Sequence, residues 1–224
     1  MEMYDRRINI ILGHYGSGKT NIALNMAYLL REKYRKVAIA DLDIVNPYFR
    51  TKDSEEEIKE RGIRLIASGY AGSNVDAPAM PAEIYSITDD MTTRFVLDIG
   101  GDDRGAYALG RLSKAITEEN DYNCYLVVNM YRPLTRNADE VCEILQEITA
   151  AGHIPATGII NNSNIGRETT ADSVLDSLLF AKEVEQKTGL AVKYTTVRED
   201  LYCVLQGKIP DLLPLRLQKG VLDF

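Results

Sequence analysis

Between Gly13 and Asn21 the chain reads "GHYGSGKTN", and Gly13-x-x-x-x-Gly18-Lys19-Thr20 fits the spacing G-x-x-x-x-G-K-[ST] at every required position. Few short patterns restrict a fold so strongly, because this one works only where a strand runs through a tight loop into a helix. The flanks agree. The apolar run "INIILG" (8 to 13) precedes the loop, and a helical pattern from Lys19 to Tyr34 follows it. Gly16 and Gly18 permit backbone angles that other residues resist, so successive N–H groups can converge on phosphate oxygens at a helix start whose dipole favours anions. Gly13, Gly16, Ser17, Gly18, Lys19, Thr20 and Asn21 are therefore the expected phosphate contacts. Lys19 would neutralise the outer phosphates, and Thr20 would offer its hydroxyl to magnesium. A dinucleotide site would need G-x-G-x-x-G, which this loop lacks.

The rest of the chain continues the alternation. Apolar runs at 37 to 43, 63 to 68, 94 to 100, 125 to 131, 156 to 162 and 191 to 197 are separated by helical patterns at Arg104 to Glu119, Thr135 to Ala151 and Ala171 to Thr188. Continuous apolar runs suit parallel strands covered on both faces. The expected fold is α/β: one P-loop NTPase domain over residues 1 to 224, with a mostly parallel, doubly wound sheet of about seven strands flanked by helices. Ligands of such sheets lie beyond the carboxyl ends of the strands. Loops at 43–52 and 99–106 are expected to behave as switches. The Gly-, Ser- and Pro-containing stretch 67–83 is too long for a plain connection and is a candidate lid or partner segment.

Composition closes off several alternatives. The net charge of −7 repels phosphate backbones and anionic lipid, and no dense Lys/Arg run offsets it, so DNA and membrane binding are disfavoured. Three cysteines, Cys124, Cys142 and Cys203, lie far apart without a Cys-x-x-Cys pair, as expected of reduced thiols in a cytoplasmic protein. The terminal "DLLPLRLQKGVLDF" has leucines spaced for a short amphipathic segment, but Pro214 and Asp223 interrupt it. Docking onto the protein body is expected.

Two strand ends supply acids for a magnesium site. "VLDIGG" places Asp98 at the end of an apolar run, followed by Gly100 and Gly101, whose turn would bring an amide to the terminal phosphate. "ADLDIVNPYF" places Asp41 and Asp43 two apart, hence on one side of an extended chain, facing magnesium or the attacking water.

With these residues the chain resembles the P-loop ATPases of the MinD, ParA and CobQ/CobB type, and more distantly nitrogenase iron protein and the arsenical-pump ATPases. The resemblance implies ATP and Mg2+ as ligands. Lys19 and Thr20 would bind triphosphate and metal, Asp43 would position the water, Asp98 would support the metal and Asp41 would assist there. It also implies that Asn162, with Asn161 as the one-residue alternative, contacts adenine, and that a loop after the last strand, Val197 and Arg198 to Asp200, flanks the base. The guanine-reading Asn-Lys-x-Asp pattern is missing where the chain reads Asn161-Asn162-Ser163-Asn164, so ATP is preferred over GTP.

One departure is plain. The partitioning members of that group carry a lysine at the start of the loop that reaches across a dimer, and here those positions hold His14 and Tyr15. His14, when protonated, or Arg104 beyond the Gly-Gly turn could take its place. Three functions follow: a slow ATPase acting as a nucleotide-dependent switch, with an ATP-dependent homodimer and a protein client; an ATP-dependent biosynthetic enzyme resembling dethiobiotin synthetase or cobyrinate amidase; or a nucleotide-binding adaptor for metalloenzyme maturation.

Overall fold

The computed structural model describes residues 6–42, 52–67, 82–100 and 103–217; the side chains of 52–54, 103, 104, 106 and 108 are not included. Strands β1 (Ile8–Leu12), β2 (Val37–Leu42), β3 (Arg64–Ala67), β4 (Arg94–Ile99), β5 (Tyr122–Val128), β6 (Gly158–Asn161), β7 (Val192–Arg198) and β8 (Leu212–Leu215) form one sheet in the order β3-β2-β4-β1-β5-β6-β7-β8. Every neighbouring pair is parallel. The helices are α1 (Lys19–Lys33), α2 (Lys52–Glu60), α3 (Ser86–Asp89), α4 (Asp103–Glu119), α5 (Ala138–Gly152), α6 (Ala171–Thr188) and α7 (Glu199–Leu205).

Burial explains why the strands are almost wholly apolar. All of β1 is buried, because alternate residues enter two different cores. Ile8, Ile10 and Leu12 pack with Phe95 and Leu97 beneath Leu109, Leu112 and Ile116 of α4. Ile11 packs on the opposite face with Ile39, Val96 and Tyr125 against Ile22, Met26 and Leu30 of α1. Each fully buried side chain of this size contributes about 1.5–3 kcal/mol by leaving water. Chain connections leave β1 toward β2 and leave β5 toward β6, so the sheet's switch point lies between β1 and β5, where the phosphate loop emerges.

Local chemistry sets the helix ends. Asn137 caps α5 by accepting from the Asp139 and Glu140 amides, which moves its start from Thr135 to Ala138. Helix α6 has the expected bounds, opening on a capping box between Thr170 and Ser173 and closing on left-handed Gly189.

Several expectations are corrected. The described residues form eight strands rather than about seven, because "LLPL" (212 to 215) docks as edge strand β8, where Pro214 is tolerated at the sheet margin. Docking is reinforced at α1: Asn25 Nδ2 donates to the Arg216 carbonyl at 3.0 Å and Asn25 Oδ1 accepts from the Arg216 amide at 2.9 Å. Strand β5 starts and stops three residues earlier than expected, leaving Asn129 to Tyr131 in a turn. The loop expected after the last strand does not exist in that form: Val197 and Arg198 finish β7, while Glu199 and Asp200 open α7. The expected switch loop 99–106 is shorter, since Ile99 ends β4 and α4 starts at Asp103. Of the other two loops, positions 43–51 and 68–81 lie outside the described residues.

Candidate functional site

The loop from Gly13 to Gly18 crosses the carboxyl edge of the sheet and enters α1 without a side-chain cap. A Cβ on Gly13 would sit 2.7 Å from the Val127 carbonyl oxygen, so the chain can pass β5 this closely only as glycine. Gly18 is in the left-handed region at φ 91°, and a Cβ there would lie 2.2 Å from Asn162 Nδ2. Gly16 is exposed at the loop tip beside Tyr15, also exposed. Ser17 is buried, and its hydroxyl oxygen has no hydrogen-bond partner among the described residues. The same holds for Asn21 Oδ1. Lys19 is buried, and its ammonium donates back to the His14 carbonyl at 3.1 Å, spanning the loop. His14 Nδ1 lies 3.2 Å from the Tyr15 carbonyl oxygen.

The acids fall where α1 needs them. Asp41 and Asp98 are register partners on adjacent parallel strands, so both side chains project to one face. That face carries Ile39 and Val96 and packs on α1. Thr20, in the first turn of α1, donates its hydroxyl to Asp98 Oδ2 at 2.7 Å. Asp98 is fully buried and Asp41 nearly so. A hydroxyl and two carboxylates are hard oxygen donors, a set that suits magnesium, which takes few protein ligands and keeps several waters. Asp43 and Gly101 lie outside the described residues, as does the Arg104 side chain. Gly100 ends this strand region, and α4 seats directly on it: a Cβ on Gly105 would lie 2.7 Å from the Gly100 amide nitrogen.

On the far side of the loop, Asn162 rather than Asn161 faces the phosphate end. Asn162 Nδ2 donates to the Ser17 carbonyl at 2.6 Å, and its Oδ1 accepts from the Thr196 hydroxyl. Asn161 instead bonds Ser177 of α6 at 2.8 Å and accepts from the Ser163 hydroxyl at 2.6 Å. Val197 is buried among Val174, Leu205 and Ile209, so it serves the core. The Arg198 guanidinium donates to Asp200 and to the carbonyls of Gly166 and Arg167, at 2.8 to 3.1 Å. The Asp200 bonds hold the Arg198 pKa above, and the Asp200 pKa below, their ordinary values.

Sequence reasoning missed Thr196, and it missed Asn129, whose Oδ1 accepts from the Tyr131 and Asn164 amides. The available signal was a polar residue closing an apolar run, "LVVN", parallel to "GIINNSN" on the neighbouring strand.

An eight-stranded parallel sheet with a strand, a glycine-rich phosphate loop and a helix at its switch point defines a P-loop NTPase fold. The profile of the CbiA family, the CobQ/CobB/MinD/ParA nucleotide binding domain, matches residues 10–169, and the chain belongs to that family. No curated protein matches the chain. Solved structures with similar folds include chloroplast FtsY from Physcomitrella patens, with a TM-score of 0.60 at 17% identity, covering 97% of this chain and 63% of that one. Cell division protein FtsY from Thermotoga maritima gives a TM-score of 0.58 at 17% identity over 88% of this chain and 64% of that one. The signal recognition particle 54 kDa protein from Aeropyrum pernix, solved in complex with GDP, gives 0.52 at 17% identity over 87% and 42%. This chain spans less than two thirds of the length of each of these neighbours. Among the described residues no helix is long and apolar enough to cross a membrane.

Proposed function

We propose that this nucleotide-binding protein takes ATP with magnesium, hydrolyses it slowly and works as a nucleotide-dependent switch. The observation that carries the reading is the 2.7 Å bond from Thr20 to Asp98, with Asp41 aligned on the same face, because it joins the phosphate loop to an acidic strand end. Bound magnesium would neutralise charge on the outer phosphates and would be held by Thr20, Asp41, Asp43 and Asp98. The chain's own groups do the remaining work. Gly13 to Gly18 present backbone amides, and Lys19, already spanning the loop, supplies a cation. Ser17 and Asn21 each offer a buried oxygen that the described protein leaves unbonded. Asp43 would orient the attacking water, and Gly100 and Gly101 would carry the presence of the terminal phosphate to α4 through the tight seat at Gly105.

The preference for ATP rests on Asn161-Asn162-Ser163-Asn164, which has no aspartate to read a guanine edge. One similar fold was solved with GDP, so the architecture alone does not choose the base. The loop tip at half-buried His14 and exposed Tyr15 and Gly16 is the surface an ATP-dependent dimer would use, and a protein client would read the ordered state.

Static light scattering and ADP release, measured on the wild type and on Asp43→Ala, test the switch. ATP should raise the scattering mass of the wild type and release ADP slowly, and Asp43→Ala should lose the release. A wild type that ignores ATP in both measurements, with Asp43→Ala behaving identically, sinks the reading.

A further inference from the structure

We propose that the loops leaving β5 and β6 form a docking surface for an acidic segment of a partner protein, with Leu134 and Ile165 as its apolar anchors and Arg132 and Arg136 as its charges. The client's role rests on the nucleotide-dependent reading above, whereas the surface itself stands without it.

Folding alone does not explain Leu134. Its backbone is left-handed at φ 68°, a region that is costly for any residue with a Cβ and a rare outlier for a bulky one. Its side chain is 51% exposed, so burial does not offset the strain. The neighbouring positions hold this shape: Thr135 is buried, and its hydroxyl donates to the Asn129 carbonyl at 2.7 Å. Strain that the surroundings enforce, at a position that gains nothing by burial, is the mark of a functional site.

The second loop is joined to the first. Asn129 Nδ2 donates to the Asn164 carbonyl at 3.2 Å, and the Met130 amide donates to the Ser163 hydroxyl at 3.1 Å. Ile165 follows directly, 40% exposed, with its amide held by the Thr169 hydroxyl at 3.0 Å. Two aliphatic side chains thus stand on loops already fixed by polar bonds, which is the preorganised form an interface anchor needs.

Charge decides the occupant. The chain carries −7 overall, yet neither 122–138 nor 154–167 contains an acid. Arg132 and Arg136 are exposed and have no ion pair among the described residues. The acids that end these runs are Asp139, paired with Lys187 at 2.5 Å, and Glu168, which is exposed; Glu140 accepts from the Arg136 amide at 2.8 Å. A second copy meeting this surface about a two-fold axis would set the arginines against their own counterparts, which like charge opposes. Nucleic acid stacks on aromatic faces, whereas the tips here are aliphatic and the Tyr131 hydroxyl is tied back to the Ser173 carbonyl at 2.8 Å. An acidic segment with apolar side chains satisfies both halves of the surface.

The probes are a fluorescent helix-forming peptide of glutamate and leucine, the same peptide with lysine for glutamate, and phosphatidylglycerol vesicles, each titrated with the full chain with and without ATP and magnesium. The glutamate peptide should bind about 10-fold more tightly than the lysine peptide at low salt and lose affinity as salt rises. Leu134→Asn should weaken it about 10-fold and Ile165→Ser about 3-fold, and Arg132→Ala combined with Arg136→Ala should remove most of the salt dependence. Asparagine tolerates the left-handed region, so Leu134→Asn should also raise the melting temperature by about 2–4 °C, with nucleotide affinity unchanged. A lowered melting temperature makes Leu134 a structural residue and overturns the proposal. So do tighter binding to vesicles than to the peptide, a peptide affinity indifferent to every variant, and a scattering mass that falls in Leu134→Asn, which gives the loops to a second copy. Peptide binding by a wild type that ignores ATP leaves the surface standing and removes the nucleotide reading; ATP binding without peptide binding does the reverse.

Discussion

The same sheet buries polar, ionisable side chains at both of its ends, for different purposes. At the amino end of β1, Arg7 is 3% exposed and is surrounded by its complements. Its guanidinium pairs with Glu119 at the end of α4 and donates to the carbonyls of Ile87 at 2.9 Å and Asp90 at 3.1 Å. At the carboxyl end, Asp41 and Asp98 stand side by side on strands about 5 Å apart, with both carboxyl groups on one face. Burying a paired charge holds elements together, whereas Asp98 accepts from the Thr20 hydroxyl at the start of α1 and so joins the strand end to the phosphate loop. One end of the sheet is held by Arg7 and its partners. The other carries the acids that the proposed function gives to magnesium.

The contrast can be broken most forcefully at the amino end. Arg7→Ala should cost about 3–5 kcal/mol, because it leaves Glu119 and two carbonyls without their donor. Urea unfolding should show the loss, and nucleotide affinity of the folded protein should stay at the wild-type value; a matching fall in affinity would mean that the two ends are not separable. At the carboxyl end, Lys19→Ala should do the reverse. Turnover should fall by about 10²–10³-fold, the scale for removing a group aimed at developing charge. The midpoint of unfolding should barely move, and a large destabilisation would recast Lys19 as a structural residue tied to His14.

The smallest effect sharpens the amino end alone. Hydrogen bonds from the Thr92 and Thr93 hydroxyls, at 2.6 and 2.7 Å, and from the Thr92 amide hold the Asp90 carboxyl well below the usual range. A carboxyl depressed in the folded state stabilises at pH values above its unfolded pKa and loses that contribution as pH falls toward the folded one. Asp90→Asn should therefore lower the melting temperature modestly at pH 7, and the gap should narrow as pH drops below about 4. A gap independent of pH would remove ionisation from the cause.

How far the sequence revealed these ends depended on how local the signal was. The phosphate loop, α1 and α6 were readable because their spacing, glycines and caps lie within a few residues of one another. The extra strand β8 was hidden by Pro214, which argues against a central strand but is permitted at the edge. Helix α7 follows β7 without a turn signal, so Glu199 and Asp200 read as loop. Helix α2 is so charged that Ile58 is its one buried apolar side chain among those described. Arg7 gave no warning, since its partners come from positions 87, 90 and 119. Asn162 was found as a candidate from its strand-end position, yet its contact with Ser17 spans 145 residues, and no local pattern encodes that.

Isothermal titration of the wild type and Thr20→Val with ATP, in magnesium and in its absence, addresses the carboxyl end most directly. The wild type should bind ATP more tightly with magnesium, GTP should bind more weakly, and Thr20→Val should lose most of the magnesium dependence while remaining folded. No binding of either nucleotide by the wild type, or binding indifferent to magnesium and to Thr20, would contradict a magnesium triphosphate site built on Thr20, Asp41 and Asp98.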